Sequence, residues 1–393
     1  MFLISDIDVN QTLDLANKTR DIFPPTPVTD QVFLGIEGFV DKIWSVVRVR
    51  HSESDFEVME SMVEWADRIN AAAGSSGSIE RILKRSAAGG FTSNVGKALS
   101  TLCGRTGNVH LVGLFGVPTI RDILREQLID TYNCVLYSMG NPGETDAFEF
   151  DDGKIMMAAF GDSNQLDWNQ IISSVGQDFL VQELDASKVW GVGYWSAIPH
   201  MSEIFTRLQE DVFPNLSQST GGKHLVLDLS DLQKKPRETL QDLVDILPRF
   251  EDSVRTVLLL NDRELETLSS FLGGGAGQTP LELTKLVQQD LNLSFVLAHS
   301  PEWATVCSTR EEVIVANANT PSPRFTTSAG DHFTAGICFG LLAGLDADIL
   351  PILGNCTTCY FVRTGISPSA QDIQQFLANY PIYLDTKTQN ILE

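Results

Sequence analysis

The sequence predicts an α/β fold whose central sheet is mainly parallel and covered by helices on both faces. Three observations carry that expectation. The runs VWGVGY, HLVLDL, RTVLLLN and LSFVLA alternate with amphipathic stretches through the second half of the chain. Runs that are apolar at consecutive positions suit strands buried on both faces, which is the condition of a parallel sheet. One segment breaks the rhythm: AFEFDDGKIMMAAF places two β-rich runs around Asp152-Gly153, a tight-turn dipeptide, and so predicts a small second β-sheet.

Taken in order, residues 1–30 are polar, end in the turn-rich PPTPVTD, and read as an extension on the surface that covers a sheet edge or mediates assembly. QVFLGIEGF opens the main unit, 31–380, as a buried strand stopped by Gly35 and Gly38, and IWSVVRVRH alternates as a half-buried strand should. FEVMESMVEWADRIN has apolar spacing of three and four and predicts a helix. SNVGKALSTLC (helix), VHLVGL (strand), TIRDILREQLI (helix) and CVLYS (strand) continue the alternation, and 381–393 form a tail. GGGAGQTPLELTKL lacks the Lys and Ser/Thr of a phosphate-binding loop. Thr279, Pro280 and Glu282 instead form a cap, a first helical residue and a capping-box acid.

The 393 residues, 43% apolar and 20% charged, are those of a globular chain with ample core. Lys plus Arg number 28 against 51 Asp plus Glu, a net charge of −23, which argues against a polyphosphate partner such as nucleic acid. A small anion held by backbone dipoles or a magnesium ion remains compatible with it. No window reaches the roughly 20 uninterrupted apolar residues of a membrane helix, and MFLISDIDVNQTLDL, with Asp6 and Asp8, is no secretory signal. The expectation is no membrane partner and a cytoplasmic protein. Six scattered cysteines agree with a reducing compartment, and Cys356-Thr-Thr-Cys359 reads as small core residues of a helix, with no second pair or nearby His to complete a metal site.

In parallel sheets ligands bind beyond the carboxyl ends of the strands, so candidate chemistry is sought there. Four places qualify: Gly35-Ile-Glu-Gly38-Phe-Val-Asp41, Ala88-Gly89-Gly90-Phe-Thr-Ser-Asn94, Asn261-Asp-Arg-Glu264, and TTSAGDHF at 326–333. In the last, small residues precede a helix whose first N–H groups have no internal partner, which favours an anion; Asp331 is either a cap favoured by the helix dipole or a base beside that anion. Each place also has a plain structural reading: a turn at Asp41, a turn at Gly89-Gly90, a capping box at Asn261 and Glu264, a cap at Asp331. His332 lies about 100° around the helix from Asp331 and points elsewhere.

The joint order of these segments resembles the PfkB (ribokinase-like) family of carbohydrate and nucleoside kinases: Asp41 after the first strand, GGFTSN at 89–94, NDRE at 261–264, and FTTSAGD at 325–331. The resemblance spans about residues 31 to 380. It implies a three-layer α/β/α sandwich with a small β-sheet lid, here near 42–50 and 145–158, through which members of the family pair as homodimers. It implies ATP-dependent phosphorylation of a small sugar (hexose, pentose or ketose), with Asp331 as general base and the N–H groups of Ser328, Ala329 and Gly330 as an anion hole. Asp41, Gly89, Gly90 and Asn94 would bind the sugar; Asn261 and Glu264 would organise Mg²⁺ and its waters, and with Asn355 would face the ATP. Trp44 stands either on a ligand face or in the lid core. A sugar phosphate is disfavoured because only Arg48 and Arg50 stand out as lid cations.

Three other readings stay open: a nucleoside kinase, an ADP-dependent kinase, and a non-catalytic binding protein. The chain departs from the family at Phe325, where an Asp is usual, at Ser328, usually Gly or Ala, in VLAHSPEWA, which lacks a Thr-x-Gly, and near Asp228, which lacks its Arg. In potassium-activated relatives the first Asp of the motif helps bind the cation. Phe325 removes that ligand, so replacing sodium by potassium is expected to leave the rate unchanged, and a several-fold gain in a steady-state assay would refute this.

Overall fold

A computed structural model describes residues 7–24, 27–217 and 221–385. The first six residues and the tail from 386 lie outside them. The strands are, in chain order, β1 (Gln31–Gly35), β2 (Phe39–Arg50), β3 (Phe56–Val58), β4 (Arg81–Gly89), β5 (Val109–Gly113), β6 (Val135–Ser138), β7 (Gly143–Phe150), β8 (Gly153–Ala159), β9 (Ser187–Gly193), β10 (His224–Asp228), β11 (Arg255–Asn261), β12 (Phe295–His299), β13 (Trp303–Ser308) and β14 (Glu312–Ala316). Nine of them form one sheet in the order β14-β13-β12-β11-β10-β9-β1-β5-β6. The run from β6 to β12 is parallel throughout, and β13 and β14 add an antiparallel margin.

The consecutive apolar residues divide between two cores by the two-residue period of a strand. Val226, Val257 and Leu259 pack on one face, while Leu225, Leu227, Leu258 and Leu260 pack on the other. Each such leucine contributes about 2 kcal/mol of burial free energy. On the first face the helix Phe91–Leu102 packs against the helix Ala329–Leu342, which packs against Leu350–Thr364. Cys356 and Cys359 are buried in this last helix; all six cysteines are free, and no metal-holding group of His, Cys, Asp and Glu occurs among the described residues. No described helix is long and apolar enough to cross a membrane. The Thr279–Glu282 capping box forms as read from the sequence.

The second sheet is built on β2, which pairs in parallel with β7 and antiparallel with β4 and β3, while β7 turns through Asp151 and Asp152 into β8. Trp65, on the helix Met62–Ala71, stacks 5.0 Å from Phe148 and 5.5 Å from Phe150 and gives this sheet its own small core. β3, β4, β13 and β14 were not expected from the sequence: Phe56–Val58, the start of the run FEVMESMVEWADRIN expected as a helix, pairs with β2 instead, and the helix begins at Met62. In β4 the charges Arg81, Lys84 and Arg85 interrupt the apolar alternation, and pairing with β2 holds it in place.

The N-terminal stretch contains a helix, Val9–Asp21, capped by Asp8. It lies against β14, the outermost strand of the large sheet. The Ala316 N–H of that strand donates to the Thr12 hydroxyl at 3.0 Å, and Lys18 pairs with Asp348 at 2.7 Å. An unpaired strand edge invites association with another chain, and this helix occupies it. Removing residues 1–21 is expected to lower the melting temperature and to produce concentration-dependent association in sedimentation experiments; unchanged melting and size would show that the edge needs no cover.

Candidate active site

The parallel strands bring their carboxyl ends to one side, and most of the residues singled out in the sequence are there. Asp331 enters from the first turn of the helix Ala329–Leu342, and Asn94, from the first turn of the facing helix Phe91–Leu102, donates to its Oδ2 at 2.9 Å. Burial first, then the nearby Asp228 and Glu37, push the Asp331 carboxyl up to about 7, against the hydrogen bonds from Asn94 and Ser328. No side chain caps this helix. Ser328, just before it, has a left-handed backbone with φ 67°, and the Ala329 N–H makes only a long 3.3 Å bond to the Thr326 carbonyl. First-turn donors thus remain beside the carboxylate, as an anion requires.

Two clefts meet at this loop. The first, about 470 Å³, is lined by Asp41, Asn94 and Ser328 together with Arg85, Lys97, Lys154 and Phe325. Asp41 sits in β2 opposite Ala87 of β4 and Thr145 of β7. Burial raises its pKa, while the Thr145 hydroxyl and the charges of Lys97, Lys154 and Arg85 pull it back. A side chain at Gly89 would have its Cβ 2.2 Å from the Asp41 carboxylate, and Gly90 adopts φ +86° where the chain turns into the helix. Both glycines are therefore required by the geometry around Asp41. Phe325 packs on Gly365 with the Arg85 guanidinium 5.5 Å from its ring.

The second cleft, about 280 Å³, lies on the other side of the loop and is lined by Thr326, Ala329, Asn261, His299, Asn317 and Asn355, among others. Asn355 is buried, and its side-chain amide makes no hydrogen bond of good geometry, the Tyr380 hydroxyl lying close to it. Asn261 closes β11 and forms a capping box. Its amide oxygen accepts from the N–H groups of Arg263 and Glu264 at 3.0 and 2.9 Å, and Glu264 Oε2 accepts from the Asn261 N–H at 2.9 Å. Burial and the charge of Asp228 push Glu264 up to about 9, and burial pushes Asp228 up to about 6. The two carboxylates are thus near enough for the charge of Asp228 to disfavour ionisation of Glu264.

The chain matches the sequence profile of the prokaryotic ketohexokinases over residues 7–380. It belongs to that family. A relative from Haloferax volcanii, a ketohexokinase, is 29% identical over 377 residues, which cover 95% of this chain and 98% of the relative. Among solved structures, a carbohydrate kinase from Agrobacterium tumefaciens superposes with a TM-score of 0.62 at 13% identity, over 89% of this chain and 97% of that one. A ribokinase from Arabidopsis thaliana, complexed with ribose and ATP, has a TM-score of 0.62 at 15% identity, over 90% of this chain and 98% of that one. At such identities the structures show the ribokinase-like fold. The family is one of sugar kinases, and its match begins ahead of β1, taking in the N-terminal helix.

Two residues, Glu37 and Lys97, set the site without standing out in the sequence, and Asp228, noted there only for the Arg it lacks, joins them. Glu37, fully buried, accepts from the Thr92 N–H and hydroxyl, both at 2.7 Å, and so fixes the helix start that carries Asn94. Asp228 matters through Glu264 and Asp331, and Lys97 through its place in the cleft. His332 is turned away as its helical position implied: its Nδ1 is 2.7 Å from the Ser328 carbonyl and its Nε2 3.0 Å from the Ser367 hydroxyl. Trp44 takes the lid-core reading, its indole donating to Asp146 at 2.6 Å under the Arg81 guanidinium. The estimate of the cleft's basic residues needs correction. Arg48 and Arg50 pair with Glu64 and Glu80 away from the cleft, whereas Arg85, Lys97 and Lys154 line it, because β4, the helix Phe91–Leu102 and β8 respectively point them inward.

The Asp228–Glu264 pair gives a testable pH dependence. The folded pKa of Glu264 is raised, so its contribution to stability is complete below about 4.3, the unfolded value, and is lost as pH rises through about 9. In metal-free buffer the wild-type melting temperature is expected to fall between pH 7 and 10, while Glu264→Gln, which never ionises, flattens that slope. Equal slopes in calorimetry would refute the coupling.

Proposed function

We propose that the chain transfers the γ-phosphoryl group of ATP to a hydroxyl of a ketohexose. The observation that carries this reading is a single carboxylate, Asp331, in the first turn of a helix that no side chain caps and whose start borders two clefts, Ser328 lining one and Ala329 the other. Membership of the ketohexokinase family supports the sugar class. In this reading the first cleft holds the sugar, with Asp41 accepting from its hydroxyls and the close backbone of Gly89 and Gly90 shaping the wall. Asp331 takes the proton of the attacking hydroxyl as it closes on phosphorus, and a pKa of about 7 suits a base that works near neutral pH. The N–H groups of Ser328, Ala329 and Gly330 receive charge from the transferring phosphoryl oxygens, without reorganising as that charge develops.

The second cleft would hold the nucleotide, and the buried amide of Asn355 supplies a donor and an acceptor for it. Glu264 and Asp228 would hold Mg²⁺ through its waters, with Asn261 fixing Glu264 through the capping box. When bound, the ion neutralises phosphate charge. The sheet built on β2 acts as a lid that excludes water from the sugar. Its exposed Leu83 and Met157, on the face away from the cleft, support pairing of two copies through the lid. The buried, free cysteines agree with a reducing compartment.

ADP release from Mg-ATP across a panel of ketohexoses, aldoses, pentoses and nucleosides is expected to give turnover with a ketohexose, and Asp331→Asn is expected to lower kcat by about 10³-fold. Turnover confined to nucleosides, or none with any acceptor, would overturn the proposal. The pH profile supplies a second check. Below about 7 kcat/KM is expected to fall tenfold per pH unit as Asp331 protonates. Asn94→Ala, by removing a donor that favours the ionised form, moves this limb to higher pH; a limb that stays or moves lower contradicts the assignment.

A further inference from the structure

Lys97 lies one helical turn beyond Asn94, on the same face of the helix Phe91–Leu102. It lines the first cleft, and its ammonium makes one hydrogen bond, to the Ala88 carbonyl at 2.6 Å. That carbonyl is neutral, and Lys97 has no ion-pair partner among the described residues. Asp41 and Asp331 are near enough to favour its charged form, yet burial dominates and lowers its pKa to about 8. An ammonium taken out of water with a single neutral acceptor is costly, and a chain that keeps one in a cleft places it where a ligand completes its shell. An ammonium has three donors. Two of them remain, in the space between the carboxylate that would hold the sugar and the carboxylate that would take its proton.

We infer that Lys97 donates a hydrogen bond to the acceptor sugar, at the oxygen next to the hydroxyl that is phosphorylated. The inference rests on reading the first cleft as the acceptor site. Lys97 follows Asn94, which holds Asp331, by one turn on the same helix face, and the charges of Asp331 and Asp41 both act on its ammonium, so the ammonium stands beside the reacting hydroxyl, at the neighbouring sugar oxygen. A cation there orients the sugar for attack. It also lowers the pKa of the adjacent reacting hydroxyl through its charge, which assists proton transfer to Asp331. The backbone clamp on β4 does not need the charge, because Gln127 already accepts from the Ala88 N–H at 2.8 Å and donates to the Ser86 carbonyl at 3.2 Å.

The test is a two-by-two comparison of wild type and Lys97→Met on the preferred sugar and on an analogue lacking the oxygen next to the phosphorylated carbon, that carbon being identified by phosphorus-coupled NMR of the product. Lys97→Met is expected to lower kcat/KM by about 10- to 100-fold on the intact sugar, the range of a hydrogen bond to a charged group. The analogue should cost wild type a similar factor, and the two changes together should cost less than threefold more than either alone. Losses that multiply, or a Lys97→Met enzyme within twofold of wild type, overturn the inference. If Lys97→Met does not fold, Lys97→Gln, which keeps a donor for Ala88, gives the same reading. A wild-type enzyme with no turnover on any sugar removes the reading of the cleft and this inference with it. Turnover with uncoupled losses removes the inference alone.

Discussion

A parallel sheet returns every crossover to the same end before the next strand begins, and this constraint sets where the chemistry of the protein stands. Gly35, Asp228, Asn261 and His299 close β1, β10, β11 and β12, so segments separated by more than 200 residues in the chain meet along one edge. The burial of both sheet faces, by Val257 and Leu259 on one and Leu258 and Leu260 on the other, leaves no other polar exit for these strand ends. The core thus does more than stabilise. It fixes the edge to which the acidic groups are delivered, and the Asn94–Asp331 hydrogen bond joins two helices across it.

That edge concentrates carboxylates that repel one another. Glu37, Asp228, Glu264 and Asp331 all have raised pKa values, with burial the first cause in each. The chain manages them differently. Glu37 is satisfied by Thr92 and has become part of the scaffold, holding the turn at Gly90. Glu264 shares a capping box with Asn261. Asp331 receives Asn94 and stands in a first turn whose neighbours Ser328 and Ala329 line the two clefts. A group kept near neutrality in its titration, with donors nearby and space in front of it, has the properties of a base; a group fully wrapped by donors does not.

The small sheet contributes by reach. β2 carries Asp41 out of the large sheet's edge, and β4 and β8 bring Arg85 and Lys154 over the same cleft. Its separate core around Trp65 and Phe148 allows it to be stable as a layer without merging into the main cores. The clamp of Gln127 and Lys97 on Ala88 fixes the point at which β4 leaves the body of the protein. Phe325, beneath Arg85 and against Gly365, ties the loop before Asp331 to the same wall.

Much of this was legible in the chain. Apolar runs declared the buried strands, Asp152-Gly153 declared the β7–β8 turn, and Asn261-Asp-Arg-Glu264 and Thr279–Glu282 declared their capping boxes, because periodicity, turn chemistry and caps are local and act over a few residues. The order of Asp41, Gly89-Gly90-Asn94, Asn261-Glu264 and Asp331 was enough to suggest one kind of site. Contact between distant segments became visible only once the chain was folded. β4 looked too charged to be a strand until β2 paired with it, and Glu37 was one residue between two glycines until Thr92 came within reach. Lys97 was one more polar residue of an amphipathic helix until burial and two carboxylates gave its charge a place. Electrostatics and strand pairing depend on distances in space, and a linear sequence records those only where a local pattern happens to coincide with them.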